Sequence, residues 1–249
     1  MHKSLQEIAS ASEVSEPTVL RYCRHFGYKG VPDFRIALAM SLVELTNSRL
    51  ANYNFIEPQL DDKAFVNRGA KIAIAQEAIN LLGSDRSLIL DSGSTTAAFA
   101  NELAGVTALS ILTTGLNIIN ALSRARQHTL MLPAGILRHE SKSLSGRMVE
   151  SSIKSMRFDT GFFGADSIDI ELGISTFNEN EAHQSAAMMA TCKRVIVLAD
   201  SSKFTSPSLH RICTLDRIDT IVTDSGLDES LAHTISARGT RVIRVDPTA

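Results

Sequence analysis

Ser87-Leu88-Ile89-Leu90-Asp91-Ser92-Gly93-Ser94-Thr95-Thr96 is the stretch on which the fold turns. A short apolar run ends in an acid, bends through glycine and continues into hydroxyl residues. This predicts a strand over 87–91 and a helix over 95–103. A helix that starts this way presents free backbone N–H groups at the positive end of its dipole. Ser94, Thr95 and Thr96 add hydroxyl donors, so Asp91, Gly93, Ser94, Thr95 and Thr96 form a candidate phosphate cradle. The stretch has neither the Gly-Lys-Ser/Thr of a nucleotide-binding P-loop nor a GxGxxG fingerprint. A capped βα turn with no ligand is the other reading of the same residues.

The alternation continues on both sides. Strands are predicted at 109–113, 129–132, 160–164, 194–199, 220–222 and 241–245. Helices are predicted at 63–82, 116–122, 182–191 and 227–237, with a polar loop up to Lys142. Strands separated by helical crossovers imply an α/β fold, a parallel Rossmann-like sheet flanked by helices. Such sheets bind ligands at the carboxyl ends of their strands. Thr113 ends a predicted strand, and Thr114, Gly135, Asp166, Asp200 and Lys203 follow predicted strands. Ser/Thr donors and Lys203 suit a phosphate, and carboxylates at Asp166, Glu181 and Asp200 suit sugar hydroxyls. The polar stretch 139–145, with Arg138, Lys142 and Arg147, is a candidate for closing over a ligand.

Residues 1 to 46 read differently, as short helices only. Ser4 and Glu7 form a capping box. Ser15 is placed to cap a second helix with Pro17 in its first turn. Val19, Cys23 and Phe26 are expected to form its buried stripe, and Gly27 its left-handed terminus. Two short helices with a tight turn suggest a small all-α helix-turn-helix head whose second helix meets base edges. Ser15, Glu16, Pro17, Thr18, Arg21, Arg24 and Lys29 are the candidate DNA contacts. From Pro17 to Arg35, Arg21, Arg24, Lys29 and Arg35 stand against one acid, Asp33, so positive charge gathers where phosphates would lie. A helical cap or dimerisation element is the alternative. The expected division is a head at 1–46, a linker at 47–62 and a sensing domain at 63–249.

Composition narrows the classes. The chain of 249 residues is 44% apolar but only 5% aromatic, without Trp, so its core must be aliphatic. A net charge of −2 argues against a polyelectrolyte binder as a whole, though not against a local basic face. Cys23, Cys192 and Cys213 are widely spaced and read as thiols of a reducing compartment. No apolar run is long enough for a membrane span and the N-terminus lacks a signal peptide, so a soluble cytoplasmic protein is expected. No metal-ligand cluster or cofactor motif is present. His128, His139, His183 and His210 are scattered.

Two stretches carry a family resemblance. Ser4-Leu-Gln-Glu-Ile-Ala, Val14-Ser-Glu-Pro-Thr-Val-Leu-Arg-Tyr-Cys-Arg-His-Phe-Gly-Tyr-Lys-Gly and Pro32-Asp-Phe-Arg-Ile-Ala-Leu resemble the helix-turn-helix of RpiR-type regulators. That likeness makes 15–24 the recognition helix. It also implies a shortened head, since the family domain begins with a helix before the segment matching Ser4. Asp91-Ser-Gly-Ser-Thr-Thr, Leu112-Thr-Thr-Gly-Leu-Asn, Leu132-Pro-Ala-Gly-Ile-Leu-Arg, Leu144-Ser-Gly-Arg, Phe158-Asp-Thr-Gly-Phe-Phe-Gly-Ala-Asp, Asn178-Glu-Asn-Glu-Ala and Leu198-Ala-Asp-Ser-Ser-Lys-Phe resemble the sensor domain of DeoR-type regulators. The resemblance implies a ribose-5-phosphate isomerase-like fold that binds a sugar phosphate, with phosphate at Gly93 to Thr96 and Lys203 nearby. Thr114 stands where the family has Asn, and Ala134 where it has Gly. The pairing is that of a chimera, because DeoR-type sensors usually follow a winged head.

The combined expectation is a transcription regulator, a repressor of carbohydrate genes. It binds operator DNA as a homodimer or homotetramer, responds to a phosphorylated sugar, and is not an enzyme. The alternative is a sugar-phosphate isomerase or deaminase on the same fold, for which Asp166, Glu179 and Glu181 are the only candidate bases. A third reading keeps ligand binding and makes the head an oligomerisation element.

Overall fold

The structure, a computed structural model, describes residues 4–38 and 59–247. The chain divides into two compact units, Met1–Val66 and Asn67–Ala249.

In the first unit, α1 (Leu5–Ala11) begins with the predicted capping box. Ser4 Oγ accepts from the Glu7 N–H at 3.2 Å, and Glu7 Oε2 accepts from the Ser4 N–H at 2.6 Å. A tight turn leads to α2 (Glu16–His25), and residues 31–38 form α3. Ser15 is the N-cap of α2, but its hydroxyl meets Thr18 Oγ1 at 2.9 Å instead of a backbone N–H. Gly27 follows at φ +84°, as a helix terminus requires. The expected buried stripe is shorter than predicted. Cys23 is buried and Val19 half-buried, while Phe26 is 56% exposed. Phe26 falls on the C-cap, where the helix has ended, and its ring packs on Tyr22 and His25 at centroid distances of 4.8 and 5.2 Å. Residues 39–46 of the expected head, and 47–58 of the expected linker, lie outside the described residues. Linker residues Leu60–Asp62 instead begin α4 (Leu60–Phe65), whose Asp62 pairs with Arg35.

The second unit starts with α5 (Arg68–Asn80). The single helix expected over 63–82 is thus two, because Asn67 takes the left-handed conformation (φ 53°, ψ 37°) between them. Asparagine tolerates that region better than most residues. The remaining elements are β1 (Ser87–Leu90), α6 (Ser94–Leu103), β2 (Ser110–Thr113), α7 (Leu116–Leu122), β3 (Thr129–Met131), β4 (Ile136–Arg138), β5 (Ser143–Ser145) and α8 (Arg147–Ile153). After them come β6 (Phe158–Phe163), β7 (Ser167–Asp169), β8 (Gly173–Thr176), α9 (Glu179–Met189), β9 (Cys192–Leu198), β10 (His210–Cys213), β11 (Thr220–Asp224), α10 (Glu229–Ala237) and β12 (Arg241–Val245).

Seven of these strands form a parallel sheet in the order β12-β11-β9-β6-β1-β2-β3. Its strands are apolar on both faces, as a sheet covered twice must be. Leu88, Leu90, Ile111, Phe162, Ile196 and Leu198 join Ile74, Phe99, Leu103 and Ile118 in one core. Ile89, Leu112, Phe163, Val195 and Val197 join Ile153, Met188 and Ile235 in the other. Alternation with a period of two along each strand assigns neighbours to opposite cores. Phe99 and Phe162 pack at 4.3 Å between ring centroids.

Two smaller sheets depart from the expected parallel pattern. β10, β8 and β7 form an antiparallel sheet, and β4 and β5 form a hairpin where a polar loop was predicted. These strands have three or four residues, too few to display a period. The hairpin is held by the rest of the fold. Leu144 N–H bonds Thr114 O at 2.8 Å, and Gln184 Nε2 bonds Leu144 O at 3.1 Å. Among the described residues no helix is long and apolar enough to cross a membrane.

Candidate functional site

The order of the main sheet creates a switch point. From β1 the chain proceeds to β2 and β3 on one side, then crosses to β6, β9, β11 and β12 on the other. The carboxyl ends of β1 and β6 therefore diverge into oppositely directed connections, leaving the crevice in which open α/β sheets place ligands.

Asp91 closes the floor of that crevice. Its N–H bonds Phe162 O on β6 at 3.2 Å. Its carboxylate accepts from the Gly93 N–H at 3.0 Å through Oδ1 and from the Gly164 N–H at 2.5 Å through Oδ2. Burial pushes the Asp91 carboxyl up from the usual carboxylate range and nearby Asp166 adds to this, while Thr96 and the two backbone donors oppose it. Thr113 Oγ1 donates to Asp91 O at 3.3 Å and accepts from the Gly115 N–H at 3.0 Å. Gly115 is needed here, since a Cβ would stand 2.9 Å from Ser92 Cα. Asn117 Nδ2 completes the join by donating to Ser92 O at 3.0 Å.

Above this floor α6 begins at Gly93, its N-cap, with no side chain capping it. The N–H groups of its first turn, on Ser94, Thr95 and Thr96, precede any intrahelical acceptor. Thr95 and Thr96 are buried. Thr96 Oγ1 lies near enough to Asp91 to favour its charged form, yet it is outside hydrogen-bonding geometry and has no partner.

One strand further along, Asp200 follows β9 by two residues and caps the turn Ser201–Lys203. It is 2% exposed. Its Oδ1 accepts from the Ser202 N–H at 3.2 Å and from Asn67 Nδ2 at 2.8 Å. Burial alone would raise the Asp200 carboxyl, but Lys203, Ser202, Lys71 and Asn67 outweigh it and hold it below the usual range. Asp224, ending β11, grips the same turn through the Ser201 N–H at 2.6 Å.

The other sequence candidates are distributed as follows. Asp166 accepts from Thr176 Oγ1 at 2.9 Å. Glu181, on the first turn of α9, pairs with Arg138 of β4 at 3.3 Å. Thr114 is buried beside the hairpin, and Arg147 is exposed at the start of α8. Gly135 is required for packing, since a Cβ would meet Val149 Cγ2 at 2.8 Å. Sequence reasoning missed Asn67 and Lys71. The available signal was a lysine within Ala70-Lys71-Ile72-Ala73-Ile74-Ala75, where it falls on the buried face of α5. In the first unit Ser15, Glu16, Pro17, Arg21, Arg24 and Lys29 are all exposed and Thr18 is half-buried. Among the described residues no group of three or more His, Cys, Asp or Glu is placed to hold a metal.

The family of the DeoR C terminal sensor domain matches residues 66–225, and the rpiR family helix-turn-helix domain matches residues 1–44. The chain belongs to the DeoR family of regulators. A relative named as an aga operon transcriptional repressor, from Escherichia coli O157:H7, is 38% identical over 76% of this chain and 71% of its own. The regulator GlpR of Haloferax volcanii is 30% identical over 75% and 73%. The glycerol-3-phosphate regulon repressor of Haemophilus influenzae is 25% identical over 96% and 89%. Among solved structures, ribose 5-phosphate isomerase A of Methanocaldococcus jannaschii superposes with a TM-score of 0.42 and 19% identity, over 56% of this chain and 55% of that one. As a DeoR-family member with a helix-turn-helix and a sensor domain, the chain is a transcriptional regulator.

Proposed function

We propose that this regulator is a cytoplasmic repressor that binds operator DNA as a homodimer or homotetramer. In this reading a phosphorylated sugar in the β1–β6 crevice sets its affinity. The phosphate lies on the first-turn N–H groups of α6 at Ser94, Thr95 and Thr96, with Gly93 admitting close approach and Lys203 supplying the cation. Asp166 and Glu181 face the sugar hydroxyls, Asp200 holds the turn that carries Lys203, and Thr113, Thr114, Gly135 and Arg147 shape the rest of the site. Ser15, Glu16, Pro17, Thr18, Arg21, Arg24 and Lys29 meet the DNA. The effector acts by binding the DNA-competent and DNA-incompetent arrangements unequally.

The observation that carries the reading is the uncapped start of α6 beside the buried, unpartnered Thr96 hydroxyl at the switch point. Buried polar groups are ordinarily satisfied, so donors left over at a crevice suit an acceptor-rich ligand. A thermal-shift screen of sugar phosphates against the matching free sugars tests it. A ligand at about 100 times its Kd adds about 2.7 kcal/mol of stability. A response to a sugar phosphate that Lys203→Met abolishes is the expected result. Stabilisation by no phosphate in the panel overturns the effector assignment.

A further inference from the structure

The turn that carries Lys203 is not self-supporting. Ser201–Lys203 is a single turn of three residues, and its cap, Asp200, is buried. A buried carboxylate stays charged only when cations and donors surround it. Two of those groups come from the start of α5. Asn67 Nδ2 donates to Asp200 Oδ1 at 2.8 Å and to Ser202 Oγ at 3.3 Å. Lys71, one helical turn later and 4% exposed, acts on Asp200 through its charge.

Asn67 is set up for this task at the expense of an ordinary helix start. It is the N-cap of α5, yet its side chain makes no capping bond to that helix and reaches across to the turn. Its backbone is left-handed at φ 53°, a conformation glycine adopts more readily. A residue chosen for the backbone alone would be glycine; asparagine adds the amide that Asp200 and Ser202 use.

We propose that Asn67 and Lys71 are positioning residues for the effector site: they hold Asp200 and the Ser201–Lys203 turn so that the Lys203 ammonium is aimed at the effector phosphate. This rests on the effector reading above. Lys203 touches the ligand, and Asn67 and Lys71 act through Asp200.

Glycine at position 67 separates the two roles of asparagine. Asn67→Gly keeps, and relaxes, the left-handed backbone while deleting the amide. A purely local role in starting α5 predicts no change in ligand binding. The test is a titration of the full chain with inorganic phosphate, followed by phosphorus NMR, alongside the melting temperature without phosphate. In Asn67→Gly the melting temperature is expected to stay near that of the wild type while the phosphate Kd rises about tenfold. Lys71→Met is expected to raise the Kd similarly, as Asp200 loses one of its two cations. Phosphate Kd values within twofold of wild type in both variants overturn the proposal and leave the effector reading standing. A wild-type chain that binds neither phosphate nor any sugar phosphate of the panel overturns the effector reading, and this proposal with it.

Discussion

The carboxylate of Asp91, at the end of β1, accepts the backbone N–H of Gly164, at the end of β6, at 2.5 Å, and so joins the two strands where their connections diverge. The same carboxylate holds the Gly93 N–H, so one side chain shapes both walls of the crevice. Asp91→Ala leaves both donors without their acceptor. Each such loss costs on the order of 1–3 kcal/mol when the donor is buried. Urea denaturation is expected to show a midpoint well below that of the wild type.

The Asp91 carboxyl titrates above its ordinary range, chiefly because it is buried. A folded-state value above the unfolded one, about 3.9, favours folding at low pH. That contribution is complete below about pH 4 and falls as the pH rises toward the folded value. Asp91→Asn lacks the titration. The stability advantage of the wild type over Asp91→Asn is therefore expected to be largest near pH 4 and to shrink as the pH rises. An advantage that grows with pH contradicts the assignment.

Asp159 behaves in the opposite sense near the amino end of β6, away from the crevice. It accepts from Lys193 Nζ at 2.7 Å, from the Arg86 and Ser87 N–H groups at 3.0 and 3.1 Å, and from Ser87 Oγ at 3.0 Å. These contacts, Lys193 foremost, hold its carboxyl well below the usual range. Its contribution is present above the unfolded value of about 3.9 and is lost as the pH falls through the folded one. Asp159→Asn is expected to lower the melting temperature at pH 7, with variant and wild type converging in strong acid. Lys193 is mostly exposed, so its share is weakened by salt.

Thr96→Val tests the cradle from within. The Thr96 side chain is fully buried and its hydroxyl makes no hydrogen bond of ordinary geometry, so the near-isosteric valine removes only its weak support of the Asp91 carboxylate. Stability without ligand is expected to change by less than about 1 kcal/mol. Affinity for a sugar phosphate found in the screen is expected to fall. Unchanged affinity removes Thr96 from the site.

Gly173 opens β8 at φ +79°, and a Cβ there would lie 2.1 Å from Cys213 O of the paired β10. Backbone cannot yield as a flexible side chain does. Gly173→Ala is expected to destabilise by about 3 kcal/mol or more, combining overpacking with the left-handed penalty. A melting temperature within a degree or two of the wild type would refute the close approach.

How far the residues could be read follows from their spacing. β1 and α6 were legible because Leu88-Ile89-Leu90 is a continuous apolar run and Gly93 is followed by hydroxyl residues. The hairpin Ile136–Arg138 with Ser143–Ser145 was not, because three-residue strands show no period and Ile136, 71% exposed, imitates nothing buried. Lys203 was legible as a strand-end lysine. Its supports were not, since Asn67 and Lys71 lie 133 and 129 residues upstream of Asp200. Phe26 misled in the other direction, because its spacing fits a helical stripe that ends one residue too early.

The amino-acid sequence by itself determined the parallel sheet, its crossover helices, the capped head and the hydroxyl-rich start of α6. Those features depend on local propensity and on periodicity along neighbouring residues, which a linear string displays in full. Only the tertiary structure decided that Asp91 would bond Gly164, that Asn67 would leave its own helix uncapped to hold Asp200, and that β10 would pair with β8. Each of these joins residues far apart in the chain, and their proximity is a product of how the layers pack.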